Sequence, residues 1–375
     1  MILGVIPSLG ESIATLKKAG QDSRFINFYL SRYSHEFEKT YYFTNADEEP
    51  AFPPQVYAVP KKTPLHYTVY ALLMPFIQKG LVKDCDCFRV MQLIGSVPAM
   101  IIKLFYRKPY VATYGFKYTE FARLDQPLWI VYATSIIEFF GLRLADGIIV
   151  TTPELKEYVG RYIPQERVHF IPNGVDTEIF RPLPGVRNAQ RKRSILYIGR
   201  LVRQKNLFSL IEAVSLLAER ISLRFIGAGA LERELKNYAN EKGVDLEIRP
   251  GVPNDKLPEV INEAEMFVLP SLVEGHPKVL LEAMSCGVPC VGTDVPGIRD
   301  LIQDGITGAL SLDTKSESIA KGIKRVIGNN QLAQTIGQNA RKFIQDNFEL
   351  STLLGREIEL LKSVGNNYKS QRSSS

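Results

Sequence analysis

The chain has 375 residues, 45% of them hydrophobic and 23% charged, with Gly and Pro in ordinary number at 27 and 22. That composition argues against a disordered, collagen-like or disulfide-scaffold protein, and the length exceeds what one hydrophobic core usually organises, so two domains are expected. The net charge of +6 is uneven: 19 Lys and Arg stand against 18 Asp and Glu over residues 1–180, and 27 against 22 over 181–375, too mild a bias for a nucleic-acid binder but suited to an anionic small ligand or a phospholipid surface.

The opening MILGVIPSLGES has neither the basic start nor the long apolar run of a secretory leader. No apolar run approaches the roughly 20 residues of a membrane helix. A cytoplasmic location is expected, with peripheral contact to the cytoplasmic face of a membrane left open. Short apolar runs rich in β-branched residues then alternate with amphipathic stretches, the signal of βαβ units and parallel sheets. Strands are expected at 2–6, 39–43, 87–91, 110–113, 147–151 and 168–171, and helices at 23–34, 65–78, 98–105 and 127–142. The stretch 128–144 is apolar nearly all round, which fits a buried helix or one that touches lipid.

Asp84-Cys85-Asp86 has the D-x-D form of metal-dependent sugar transfer, but no partner carboxylate is evident and no metal site is assigned. Cys85, Cys87, Cys286 and Cys290 lie in apolar, strand-like runs and read as reduced, buried thiols. Their C-x-C and C-x-x-x-C spacings, far apart and without a His-rich partner run, do not make a zinc site.

Ile171-Pro172-Asn173-Gly174-Val175-Asp176 forces a turn. The polar, basic stretch 181–193 follows, and the linker is placed here. Beyond it, strands are expected at 194–198, 222–226, 246–249, 266–270 and 288–293. Helices are expected at 206–220, 230–242, 257–264, 278–284, 316–327, 331–348 and 351–364, with a helical turn at 298–302. Residues 365–375 read as a polar, disordered tail.

The strongest segment runs from Pro270 to Met284. A buried strand ends, a loop carries Glu274 and Gly275, and a helix begins with Pro277 in its first turn. The amides of Gly275, His276, Lys278 and Val279 then face the space beyond the strand end, where doubly wound sheets bind ligands and helix N-termini attract phosphate. Glu274 and Glu282 beside such a site suit the hydroxyls of a sugar and a ribose. A solvated loop Glu and a helix-face Glu are the alternative. In Gly199-Arg200-Leu201-Val202-Arg203-Gln204-Lys205-Asn206, again strand into helix, Arg200 and Lys205 flank a loop able to close over a diphosphate; two surface cations are the plain alternative. Both segments end strands of one sheet, and this convergence favours a site. Gly227-Ala228-Gly229 is followed by Glu232 where a dinucleotide fingerprint needs Gly, so it reads as close backbone packing.

These residues carry a family likeness. The run from Ile195 to Leu310 resembles the donor-binding half of the family-4 retaining glycosyltransferases of GT-B fold. The likeness rests on Gly199-Arg200-Leu201 through Lys205, Phe225-Ile226-Gly227-Ala228-Gly229, Pro270-Ser271 with the Glu274/Glu282 pair, Gly287-Val288-Pro289 and Gly297. Asn173-Gly174-Val175-Asp176 resembles the family's interdomain turn. The resemblance implies two Rossmann-like, doubly wound parallel-sheet domains facing a central cleft. It implies domains at 1–176 and 177–348, with a helix at 349–364 crossing back onto the first. It also implies a nucleotide diphosphosugar donor, no metal or other cofactor, Arg200 and Lys205 on the diphosphate, Glu282 on the ribose and Glu274 on the sugar. The loop of Gly275, His276, Pro277, Lys278 and Val279 would touch sugar and phosphate. The first half departs from the pattern: of the family's Gly-Gly loop only Gly20 is retained, and at Thr113-Tyr114-Gly115-Phe116 the family's His is missing, leaving Tyr114 to hydrogen-bond there.

The reaction implied is attack of an acceptor hydroxyl, on a glycan or lipid-linked precursor, at the anomeric carbon with retention. Arg200 and Lys205 stabilise the leaving diphosphate and Glu274 positions the sugar. A nucleotide-sugar epimerase on the same fold and a non-catalytic nucleotide-sugar-binding subunit are the alternatives; a pyridoxal phosphorylase finds no support. Aromatics and cations at Tyr106-Arg107-Lys108-Pro109-Tyr110 and Phe116-Lys117-Tyr118 suit stacking on an acceptor sugar or weak membrane association.

Overall fold

The computed structural model describes residues 1–185, 193–219 and 221–373. The chain divides into two compact units, one of residues 1–172 with 354–375 and one of residues 173–353. Part of the expected linker, 186–192, lies outside the described residues, as do Arg220 and the last two residues.

The first unit is built on a seven-stranded, wholly parallel sheet. Its strands are β1 (Ile2–Ile6), β2 (Lys39–Phe43), β3 (Val56–Val59), β4 (Cys87–Val90), β5 (Tyr110–Tyr114), β6 (Gly147–Val150) and β7 (Val168–Phe170), in the order β3-β2-β1-β4-β5-β6-β7. β3 was not expected; it is a short edge strand after a Pro-rich run. After β1 comes helix α1 (Ile13–Lys18). Ser12 caps it in a reciprocal box with Thr15, and Glu48 accepts from the Ile13 and Ala14 amides. The helix expected at 23–34 spans 22–36 and carries a π-helical stretch at Phe25–Leu30. Helices α2 (Tyr67–Ile77), α3 (Val97–Tyr106) and α4 (Leu128–Leu144) are the crossovers into β4, β5 and β6.

The second unit has six parallel strands, β8 (Ser194–Ile198), β9 (Ser222–Ile226), β10 (Leu246–Arg249), β11 (Met266–Leu269), β12 (Cys290–Thr293) and β13 (Ala309–Ser311), in the order β10-β9-β8-β11-β12-β13. Its helices include α5 (Leu207–Ser215), α6 (Lys278–Ser285) and α7 (Asn330–Asn347). α5 ends earlier than its periodicity suggests. Leu196, Leu210, Phe225, Phe267, Leu281 and Ile323 pack in one continuous core. The turn at Asn173–Asp176 is pinned to the end of α7, with the Val175 amide donating to the Phe348 carbonyl and Leu350 donating back to Val175.

Helix α8 (Leu350–Ser373) closes the chain. It runs through 365–373, so the expectation of a disordered tail there is corrected. Gly365 packs so closely on Met1 that a Cβ would meet Sδ at 2.5 Å, and Lys369 pairs with Asp86 at 3.0 Å. Asp86 also accepts from the Ile2 amide at 2.8 Å, so this carboxylate of the D-x-D tripeptide serves the first unit's structure. All four cysteines are free and buried, and burial raises the Cys85 and Cys87 thiols far above their usual range.

Candidate active site

In the second unit the chain winds outward from β8 to β10, then returns to lay β11 on the other side of β8. The order reverses between β8 and β11, the place where open α/β sheets hold ligands beyond their strand ends. The loops that leave these two strands are the two segments singled out in the sequence. Gln204 stitches them: its carbonyl accepts from the Leu272 amide and its Nε2 donates to the Val273 carbonyl, both at 2.9 Å.

Lys205 ends a 3-10 turn (Arg203–Lys205) and places Nζ 2.5 Å from Glu274 Oε1. The Ser271 hydroxyl donates to the same oxygen at 2.7 Å. Both charged side chains are largely sheltered, 14% and 9% exposed. In turn, Thr293 Oγ1 at the end of β12 donates to the Ser271 carbonyl at 2.6 Å, tying a third strand end to the cluster. Arg200 is placed differently: it is exposed, and among the described residues its guanidinium meets only the Gln204 amide oxygen, at 3.5 Å. The structure thus brings Lys205, Glu274 and Ser271 together and leaves Arg200 on the rim.

Helical bonding in α6 starts from the Pro277 carbonyl, which accepts from Leu280 and Leu281. Pro277 is the cap of the helix, not its first residue. The amides of Gly275, His276 and Val279 have no main-chain acceptor among the described residues, and together with the helix end they form a ready anion seat. Gly297 lets α6's loop pack closely: a Cβ there would stand 1.7 Å from the Gly275 carbonyl oxygen. Gly227 and Gly229 do the same for the loop after β9, against the backbone of Gly199 and Leu201. Glu282, one turn into α6, is buried and accepts from Asn254 Nδ2 at 3.0 Å. Asn254 was not expected; it lies 28 residues away and nothing local in the sequence marks it.

His276 turns inward. Its ring packs on Phe348, its carbonyl accepts from Asn173 Nδ2 at 2.8 Å, and Nδ1 has no partner among the described residues. Burial lowers its pKa from 6.5 to about 3, so the ring is neutral at neutral pH and His276 is not a proton donor there. Above pH 6.5 neither folded nor unfolded chain carries a proton on it. As the pH falls from 6.5 toward 3 only the unfolded chain takes the proton, and stability is lost. The slope approaches about 1.4 kcal/mol per pH unit. His276→Phe is expected to flatten that fall, read by urea denaturation across the range; equal slopes in the two proteins refute it.

The first unit corrects two expectations. Its order reverses between β1 and β4, so the loop at its switch point is Pro7–Ser12, which carries Gly10 at φ +75°. A Cβ on Gly95, after β4, would stand 2.3 Å from the Pro7 carbonyl oxygen, so these two loops pack backbone to backbone. Gly20 is not in that loop; it follows α1, where its amide bonds to the Lys17 carbonyl. Tyr114 is fully buried and donates its hydroxyl to Glu138 at 2.5 Å, which also accepts from the Thr119 amide and hydroxyl. It is a core residue, not a ligand contact. Among the described residues no group of three or more His, Cys, Asp or Glu is placed to hold a metal ion.

Two family models match end to end, Glycosyltransferase Family 4 over residues 14–179 and Glycosyl transferases group 1 over residues 184–343. The chain belongs to the family-4 glycosyltransferases, and its two parallel-sheet units are those of the GT-B fold. It is 26% identical over 258 residues to alpha-maltose-1-phosphate synthase of Mycolicibacterium smegmatis, covering 62% of this chain and 66% of that protein. It is 29% identical over 223 residues to the GDP-mannose-dependent alpha-(1-6)-phosphatidylinositol monomannoside mannosyltransferase of the same organism, covering 54% and 58%. These matches span less than two thirds of either relative. Among solved structures, sucrose-phosphate synthase from Thermosynechococcus elongatus superposes with a TM-score of 0.83 at 17% identity, covering all of both chains.

Proposed function

We propose that this protein transfers a sugar from a nucleotide diphosphosugar to a hydroxyl of a glycan or lipid-linked acceptor, with retention and without a metal, at the cytoplasmic face of a membrane. The observation that carries the reading is the Lys205–Glu274–Ser271 cluster beside the open amides before α6, at the switch point of the second sheet. The mannosyltransferase relative, whose name states dependence on GDP-mannose and a phosphatidylinositol monomannoside, supports the donor and acceptor classes.

In this reading the diphosphate lies against the α6 amides and Lys205, with Arg200 closing from the rim. Negative charge grows on the diphosphate as the anomeric bond breaks, so fixed cations and amides there favour the transition state over the ground state. The acceptor oxygen bonds to the anomeric carbon, the carbon–phosphate-oxygen bond breaks, and the acceptor proton passes to the departing phosphate oxygen. Glu274 fixes the sugar hydroxyls; one of its oxygens already accepts from both Lys205 and Ser271, which suits orientation better than attack. Glu282, steadied by Asn254, takes the ribose hydroxyls.

A thermal-shift screen of nucleotide diphosphosugars tests the donor. A ligand at a hundred times its Kd adds about 2.7 kcal/mol to the native state. One donor is expected to raise the melting temperature well above the rest, and no shift with any of them refutes the proposal. Incubation of that donor with and without acceptor then separates transfer from epimerisation and from simple binding.

A further inference from the structure

The first unit keeps a broad apolar face uncovered. Strands β3, β4, β5 and β6 are parallel, and each crossover toward the next steps the same way across the sheet, so right-handed connections set α2, α3 and α4 side by side on one face. α4, which the sequence allowed to be buried, shows its outer side to solvent: Trp129 is 71% exposed and Tyr132 70%. Phe105 of α3 is 68% exposed and meets Phe76 of α2 edge to face at 5.3 Å, so the apolar surface continues from helix to helix. Soluble monomers rarely leave so much contiguous aromatic and aliphatic surface without a partner.

The charge this face leaves without an acidic partner among the described residues is positive. Across all three helices the only charged residues are Lys103, Glu138 and Arg143; Lys103 is paired with Asp146 just after α4, and Glu138 is buried. Cations gather where the helices end. The Tyr106 hydroxyl donates to the Pro75 carbonyl at 3.1 Å, which holds the ends of α2 and α3 together, with exposed Lys79 and Arg107 just beyond. At the end of α4 the Arg143 guanidinium lies over the Phe139 ring at 3.7 Å. The acids near this edge are Asp146, part-exposed and paired with Lys103, and Asp84, exposed beside Lys83. No helix among the described residues is long and apolar enough to cross a bilayer. Aromatic and aliphatic side chains edged by Lys and Arg match the interfacial layer of an anionic leaflet, where apolar burial and attraction to acidic headgroups add.

We propose that the α2–α3–α4 face is the surface by which this protein lies on an anionic membrane, with Phe76, Phe105, Leu128 and Trp129 entering the headgroup layer and Lys79, Arg107 and Arg143 meeting acidic lipids. The inference rests on the peripheral contact proposed above, but its test does not involve the donor, so failure here leaves the donor screen intact and failure there leaves this surface standing.

Trp129 is the chain's single tryptophan and reports on the face directly. The full chain is titrated with phosphatidylcholine vesicles and with the same vesicles containing phosphatidylglycerol. The expected result is a blue shift of Trp129 emission and quenching by bromine-labelled acyl chains, both stronger with the anionic lipid. Arg107→Gln should weaken anionic-vesicle partitioning about fivefold. A Phe105→Asp, Leu128→Asp double variant should abolish it while its circular dichroism and melting temperature stay those of the parent. Unchanged emission and no quenching on anionic vesicles overturn the proposal. So does a blue shift that grows with protein concentration without vesicles and accompanies a doubled mass in sedimentation, which assigns the face to a second copy of the chain.

Discussion

Lys205→Met is expected to lower turnover in the proposed reaction by roughly a hundredfold to a thousandfold, about 2.7–4 kcal/mol in the barrier, the range for removing one preorganised group that stabilises developing negative charge. Lys205 is 14% exposed, so its charge acts where water screens it less than at an open surface. The same substitution also strips Glu274 of its cation, and that alone can misplace a sugar-binding carboxylate. A double-mutant cycle with Glu274→Gln separates the two effects. If Lys205 serves only to hold Glu274, adding Lys205→Met to the Glu274→Gln variant costs nothing further, and the double variant is as slow as Glu274→Gln alone. If Lys205 carries the diphosphate, Lys205→Met slows the Glu274→Gln variant by a further factor close to its effect in the parent. Arg200→Gln serves as comparison: an exposed side chain with one long contact should cost less than Lys205→Met. Unchanged turnover in Lys205→Met refutes the role outright.

The second unit was readable because its signals are local. Each strand-to-helix turn carries its own glycine or charge, and the strand order then places the loops of β8 and β11 side by side. Lys205 and Glu274, 69 residues apart, were joined by the rule that strand ends share an edge. Asn254 escaped because only the tertiary fold brings its 3-10 turn to Glu282. Tyr114 was misplaced for a related reason: strand periodicity gives a residue's face but not the neighbour, Glu138 on α4, that takes its hydroxyl. The edge strands β3 and β13 lack the usual signal: β3 comes straight after Pro53-Pro54-Gln55, and β13, Ala-Leu-Ser, has no β-branched residue. The last turns of α8 looked disordered because they are polar, yet Lys369 finds Asp86, a partner 283 positions away that composition cannot reveal.

A sharper case of the same kind lies in the middle of α8. Glu357 is expected to be the costliest single residue to lose in the first unit. Its carboxylate takes Arg89 Nε at 2.8 Å and Nη2 at 3.0 Å, and also accepts from the Tyr33 hydroxyl. Arg89, on β4, also donates to the Val90 carbonyl at 2.5 Å and to Thr113 Oγ1 at 2.7 Å. Both charged side chains are buried, 3% and 6% exposed. Burial, with the Glu357 charge next in weight, holds the Tyr33 pKa well above its usual value, so the phenol remains a donor throughout the working range. Glu357→Ala leaves a guanidinium buried without its counter-charge, a loss of about 3–5 kcal/mol. For a unit of this size that lowers the melting temperature by about 6–20 °C. Desolvating two charges offsets much of their attraction, so replacing the pair costs less than breaking it. The Arg89→Met, Glu357→Leu double variant is therefore expected to recover most of the loss. Calorimetry of the two single variants and the double one decides: a Glu357→Ala loss under about 1 kcal/mol, the range of a surface ion pair, would mean that β4 and α8 are held together by their apolar contacts alone.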